Sequence, residues 1–156
     1  MDNGGDMKVS FKGDYALKTI LDLSLNYGKG RTQIKDISKR QDIPLKYLEQ
    51  IVSMLRGAKY VITQRGAKGG IELSKPPSKI HLGEIIRLME GPTSPITCVS
   101  CSGYKRCSFE NKCVFTDIWR TIRDRTNEVV DKTTFDDMVQ RAAKMEGSGK
   151  ESHYYI

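Results

Sequence analysis

Four cysteines fall within sixteen residues, as Cys98-Val-Ser-Cys101-Ser-Gly-Tyr-Lys-Arg-Cys107-Ser-Phe-Glu-Asn-Lys-Cys113, and the chain has no others. The spacing is two, five and five intervening residues, in a stretch rich in Gly, Ser and Lys. Thiolates gathered in a flexible loop can close around zinc or an iron–sulfur cluster, since both take soft sulfur ligands. Spacing alone serves the two metals equally. Unmetallated thiols or a regulatory disulfide are the plainer readings, and four of four cysteines in so short a run argues against chance. Lys105, Arg106 and Lys112 supply positive charge beside them, which offsets the charge of thiolates or of a cluster.

Turnover chemistry finds little support. A thiol oxidoreductase built on Cys98-Val-Ser-Cys101 needs that pair at a helix start in a strand–helix–strand unit. Here it lies in a segment without periodicity. The two histidines, His81 and His153, belong to no Ser/His/Asp constellation; His81 stands beside a helix start and reads as a packing residue. The expectation is a binding protein, not an enzyme.

The elements that must carry the cysteine loop follow from the rest of the chain. With 156 residues, 38% hydrophobic and 29% charged, the sequence suits one globular domain with a helical appendage. No apolar run approaches the ~18 residues of a membrane span. The polar start, Met1-Asp2-Asn3-Gly4-Gly5-Asp6, does not read as a secretory signal, so a cytoplasmic protein without membrane contact is expected. Reduced thiols fit that compartment.

Charge is unevenly placed. Residues 7–79 hold 15 Lys/Arg against 6 Asp/Glu, a net of +9, whereas residues 80–156 hold 11 of each. The first six residues contribute −2. A basic first half asks for a polyanionic partner or a large solvated face, and motifs must decide between them.

Helical spacing begins at Asp14, a plausible N-cap, and runs through Leu17, Ile20, Leu21 and Leu25 to Tyr27-Gly28. A short helix surrounds Ile34, Ile37 and Ser38. Pro44, a good first helical residue, opens another with Leu45, Leu48, Ile51, Val52 and Leu55 on one face, closed by Gly57. Tyr60–Gln64 reads as a strand, Arg65-Gly66-Ala67-Lys68-Gly69-Gly70 as a basic turn, and Ile71–Ser74 as the return strand. A helix with Leu82, Ile85, Ile86 and Met89 inward precedes the cysteines. A long helix from about Val114 carries Ile118, Trp119, Ile122, Val129 and Val130, and a last one surrounds Phe135, Met138, Val139 and Ala142. The fold class is mainly α with a small β-hairpin wing: a winged helix-turn-helix followed by a long dimerisation helix. The expected division is a disordered tail at 1–6, the winged unit at 7–79, the short helix and cysteine loop at 80–113, the dimerisation and terminal helices at 114–145, and a disordered tail at 146–156.

In such a unit the second helix of the pair enters the major groove of DNA. Burying its leucine face leaves Lys46, Tyr47, Glu49, Gln50 and Ser53 outward. Gln50 suits adenine, Glu49 suits a cytosine amino group, and Lys46 suits guanine or phosphate. Arg65 and Lys68 at the hairpin tip suit a minor groove or the backbone. Each residue alone has a bland explanation; their order together with the local +9 favours DNA.

From Met7 to about Ala143 the chain resembles the winged-helix regulators typified by IscR, NsrR and CymR. The resemblance rests on Lys12-Gly13-Asp14-Tyr15-Ala16-Leu17, Pro44-Leu45-Lys46-Tyr47-Leu48-Glu49-Gln50 and Arg65-Gly66-Ala67-Lys68-Gly69-Gly70, together with the x5-spaced Cys101, Cys107 and Cys113 followed by Trp119. It implies a homodimeric transcription factor on a double-stranded, pseudo-palindromic operator. It also implies that Cys101, Cys107 and Cys113 hold an iron–sulfur cluster sensing redox, nitric oxide or iron–sulfur status, since members without the cluster lack these cysteines. Thr116 stands where IscR-like members place a histidine ligand. Asp14 matches the aspartate that NsrR-like members supply from the other subunit to a 4Fe–4S cluster, which favours 4Fe–4S over 2Fe–2S; Cys98 is the rival fourth ligand. Zinc, or a thiol switch on the same fold, is the alternative.

Overall fold

The computed structural model describes residues 9–147. Both tail expectations fall largely outside that range, and Glu146 and Gly147 belong to the last helix.

Helix α1 spans Phe11–Leu25, α2 Ile34–Arg40 and α3 Leu45–Gly57. The start of α1 corrects the sequence reading. Its N-cap is Ser10, whose side chain accepts from the Gly13 N–H, and Asp14 lies inside the first turn, ion-paired to Lys18 at 2.8 Å. Pro44 likewise caps α3 instead of opening it, its carbonyl accepting from Tyr47 and Leu48. The α2–α3 turn passes through Asp42, whose φ of 50° is a conformation Asp tolerates better than most residues.

Strands β1 (Val61–Gln64) and β2 (Gly70–Leu73) pair antiparallel in the register Val61↔Leu73 to Gln64↔Gly70. Thr32, ahead of α2, adds a bridge to Ile71. A 3₁₀ turn at Pro77–Lys79 leads to α4, Leu82–Glu90. The cysteine segment follows, with one 3₁₀ turn at Thr97–Val99; then come α5, Thr116–Lys132, and α6, Phe135–Gly147.

One core joins these parts. Ala16, Ile20 and Leu23 of α1 meet Leu48, Ile51 and Leu55 of α3, with Ile37, Val61, Ile71, Ile85 and Phe135 completing the cluster. At about 25 cal/mol per Å² of apolar area removed from water, such side chains contribute roughly 1.5–3 kcal/mol each. A polar brace crosses it. Asp22, 2% exposed, accepts from Arg40 Nε and Nη2 at 2.9 and 2.8 Å and from Gln41 Nε2 at 3.2 Å, fixing α2 against α1. The same hydrogen bond raises the Arg40 pKa further above its ordinary value.

Helix α5 stands apart from that core. Only Thr116 and Val130 of it are buried, while Ile118 and Val129 are 54% and 64% exposed. Ile118, Ile122 and Val129 lie along one stripe by helical spacing. Helix α6 folds back beneath α1 through Phe135. Its N-terminus is closed by a reciprocal cap: Thr134 N–H and Oγ1 donate to Asp137 Oδ2, and the Asp137 N–H donates to Thr134 Oγ1.

Candidate nucleic-acid interface and cysteine loop

On α3 the apolar residues Leu48, Ile51, Val52 and Leu55 are buried, and this rotates the opposite face outward. Lys46, Tyr47, Glu49, Gln50 and Ser53 are all exposed there, as are Arg65 and Lys68 on the hairpin. Helix face and hairpin flank one cleft of about 600 Å³, lined by Glu49, Ser53, Arg56, Thr63 and Arg65. The cleft is open to solvent between the helix face and the basic wing. Arg56 joins this face beyond the residues named from sequence. It follows Ser53 by three positions, and that spacing was the available signal.

The wing owes its shape to two glycines with positive φ. Gly66 turns the tip at φ 106°. Gly70, at φ 146°, passes so close to the segment ahead of α2 that an added Cβ would stand 2.8 Å from the Thr32 carbonyl oxygen. Gln33 Nε2 donates to the Gly69 carbonyl at 2.6 Å and ties the wing base to the start of α2.

The cysteine segment leaves α4 at Gly91, where a φ of 87° breaks the helix. Its inner half is held by α5: Arg123 Nη1 donates to the Val99 carbonyl at 2.5 Å, and Thr93 Oγ1 donates to Asn127 Oδ1 at 2.5 Å. The Lys105 N–H donates to the Thr97 carbonyl at 3.2 Å, bracketing Cys98 and Cys101. Its outer half is a pair of turns, Glu110 N–H to the Cys107 carbonyl and Lys112 N–H to the Phe109 carbonyl. Tyr104 Oη donates to both carboxylate oxygens of Glu110 at 2.7 Å, which raises the phenol above its ordinary range. The segment ends as Thr116 N–H meets the Cys113 carbonyl.

All four cysteines are free thiols; Cys101 is exposed and Cys98, Cys107 and Cys113 are half-buried. Among the described residues of one chain, no group of three or more His, Cys, Asp or Glu is gathered around a common point. Asp14 sits on α1 with its carboxylate on Lys18, and Thr116 is buried at the start of α5. The donor set nevertheless fits an iron–sulfur cluster or zinc in chemistry. It consists of soft sulfurs on an irregular loop that no helix or strand holds apart. His81 lies at the α4 N-terminus, bridged to Thr134, with Nδ1 buried and unpaired.

The model of the Rrf2 family, described as iron-dependent transcriptional regulator, matches residues 9–141. The chain belongs to the Rrf2 family. Among Rrf2 relatives, the HTH-type transcriptional regulator CymR of Bacillus subtilis (strain 168) is 36% identical over 150 residues, covering 96% of this chain and 100% of that one. The HTH-type transcriptional regulator IscR of Escherichia coli (strain K12 / DH10B) is 34% identical over 145 residues, covering 93% and 88%. Of solved Rrf2 structures, CymR of B. subtilis superposes with a TM-score of 0.73 over 86% of this chain and 97% of that one, at 36% identity. IscR of T. potens superposes with a TM-score of 0.72 at 33% identity, covering 94% of each chain. This Rrf2 protein is therefore a DNA-binding transcriptional regulator and not an enzyme, and its winged-helix architecture is that of its relatives. No helix among the described residues is long and apolar enough to cross a membrane.

Proposed function

We propose that this Rrf2 regulator acts as a homodimer whose operator affinity is set by an iron–sulfur cluster bound to the loop after α4. The observation that carries the reading is the placement of every cysteine of the chain, as free thiols, on one irregular segment rooted against α5. Cys101, Cys107 and Cys113 are the ligands. Asp14 of the second subunit is the fourth, with Cys98 as its rival. The cluster, 4Fe–4S in preference to 2Fe–2S, supplies a group whose charge and integrity change on oxidation, nitrosylation or iron loss. An aspartate oxygen is a more replaceable ligand than a fourth thiolate, which suits a sensor. The iron-dependent character of Rrf2 regulators supports the reading.

The apolar stripe Ile118, Ile122 and Val129 on α5 is the dimer face, and it brings two copies of α3 onto a pseudo-palindromic operator. There Lys46, Tyr47, Glu49, Gln50 and Ser53 read base edges while Arg65 and Lys68 hold a groove or the backbone. The loop is joined to α4 and α5, so its state biases the relative orientation of the two reading heads.

Iron and acid-labile sulfide counts, with an absorption spectrum, on protein purified without oxygen test this directly. The expected result is a coloured protein with iron and sulfide in equal number and different operator affinity with and without cluster. Colourless protein with stoichiometric zinc, or metal-free thiols, would replace the cluster by a zinc or thiol switch on the same fold.

A further inference from the structure

Phe11, in the first turn of α1, is 80% exposed, the most exposed aromatic side chain among the described residues. It is not isolated. Its ring centroid lies 6.1 Å from that of Tyr15, which lies 6.4 Å from that of Tyr47 in the first turn of α3. The three rings form a ridge running from the start of α1 to the start of the helix read above as entering DNA. Lys12 and Lys46 flank it, and both are exposed. Neither forms an ion pair among the described residues, whereas the two carboxylates at this turn are engaged elsewhere, Asp14 with Lys18 and Glu90 with the Ser10 N–H and hydroxyl. By helical position Asp14 lies on the other side of Phe11 from Lys12.

We propose that the first turn of α1 is a third DNA-contacting element, beside α3 and the wing. Lys12 neutralises a phosphate at the edge of the groove that α3 enters, and Phe11 and Tyr15 pack on the adjoining deoxyribose. The partner is chosen by charge. Two unpaired ammonium groups around an apolar ridge complement a polyanion. The contact carries no base information, so it adds affinity to all sequences alike. The proposal rests on α3 being the reading helix.

The test is anisotropy titration of the full-length protein against a duplex enriched by selection and a random-sequence duplex, over a range of salt. Lys12→Ala is expected to weaken both several-fold and to lower the slope of log affinity against log salt by about one. Phe11→Ala is expected to weaken both with the slope unchanged. Unchanged affinity in both variants would overturn the proposal. So would a loss that follows a fall in the dimer fraction measured by sedimentation at the same concentration. Gln50→Ala, run in parallel, reports separately on α3: if base preference is untouched there, the reading helix is misassigned, while the Lys12 and Phe11 results still decide the contact of α1.

Discussion

Glu90, the last residue of α4, closes the N-terminus of α1: its Oε1 accepts from the Ser10 N–H at 3.1 Å and from Ser10 Oγ at 2.6 Å. Ser10 in turn accepts from Gly13, so two helices eighty residues apart share one cap. Gly13 makes the approach possible, because a Cβ there would lie 2.2 Å from Glu90 Oε1. Ser10→Ala should cost about 0.5–2 kcal/mol, the usual range for a lost N-cap. Gly13→Ala gains up to about 1 kcal/mol of helix propensity but displaces the carboxylate. The expected signature is a sign change: destabilising in the parent, stabilising in a Glu90→Ala background. Thermal unfolding of the four combinations reads it, and additive effects would show that Glu90 and Gly13 do not interact.

The Asp22 brace makes an asymmetric prediction. Arg40→Ala leaves a buried carboxylate with Gln41 as its remaining side-chain partner and should cost about 3–5 kcal/mol. Asp22→Ala leaves a guanidinium that is 46% exposed and can hydrate, so about 1–3 kcal/mol is expected. Urea unfolding at one protein concentration orders the two.

Acid sensitivity should appear at the α6 cap. Hydrogen bonds from the Thr134 N–H and hydroxyl hold the Asp137 carboxyl below its ordinary pKa of 3.8. A group depressed in the folded state stabilises it fully above the unfolded pKa and stops doing so as pH falls through the folded one. The Tm difference between parent and Asp137→Asn should therefore be complete at pH 6 and shrink below about pH 4. A difference constant across that interval would remove Asp137 from the acid response.

For the reading head, Gln50→Ala should cost about 1–3 kcal/mol on the selected site and relax preference at one base position. Lys68→Ala should weaken selected and random duplexes alike and flatten the salt dependence. Equal effects of both variants on both duplexes would refute the division between base reading and backbone holding.

Arg123 joins α5 to the inner half of the cysteine loop through the Val99 carbonyl, and pairs with Asp124 at 2.7 Å. Arg123→Ala should speed alkylation of Cys98 and Cys101 while leaving Cys113, beyond the loop's outer turns, nearly unchanged. Peptide mass spectrometry after brief iodoacetamide treatment of the metal-free protein measures this. Uniform acceleration at all four thiols would instead mean that Arg123 supports the whole loop.

Periodicity and turn glycines made α2, α3, α4 and the wing legible from sequence, because each pairs an inward apolar set with a local stop. The boundaries that moved did so for long-range reasons. The cap of α1 slid back to Ser10 because its partner, Glu90, is far along the chain and Gly13 is buried against it. Strand β1 begins at Val61, since Tyr60 is committed to the turn that closes on Ser74. Helix α5 begins at Thr116, because Val114, 82% exposed, has no face to pack against ahead of the first turn. The cysteine spacing announced sulfur chemistry, but Arg123, Asn127 and Tyr104, which shape the loop, carry no local pattern that reveals them. Likewise the ring contact between Tyr15 and Tyr47 joins two helices whose spacing says nothing of each other.

The tie from Gln33 to Gly69, with the Thr32–Ile71 bridge beside it, has a geometric consequence for the operator. The base of the wing is held to the helix pair, so helix and wing present to DNA as one unit. In the proposed dimer the angular phase between half-sites is then set by the contacts between subunits, the α5 stripe and the cluster that joins one loop to the other subunit's Asp14. One base pair added between half-sites rotates the second by about a tenth of a helical turn, and helix and wing follow it only together. Accommodation falls to the torsional compliance of the duplex, which makes central spacer sequence a determinant of binding without a single side chain touching it.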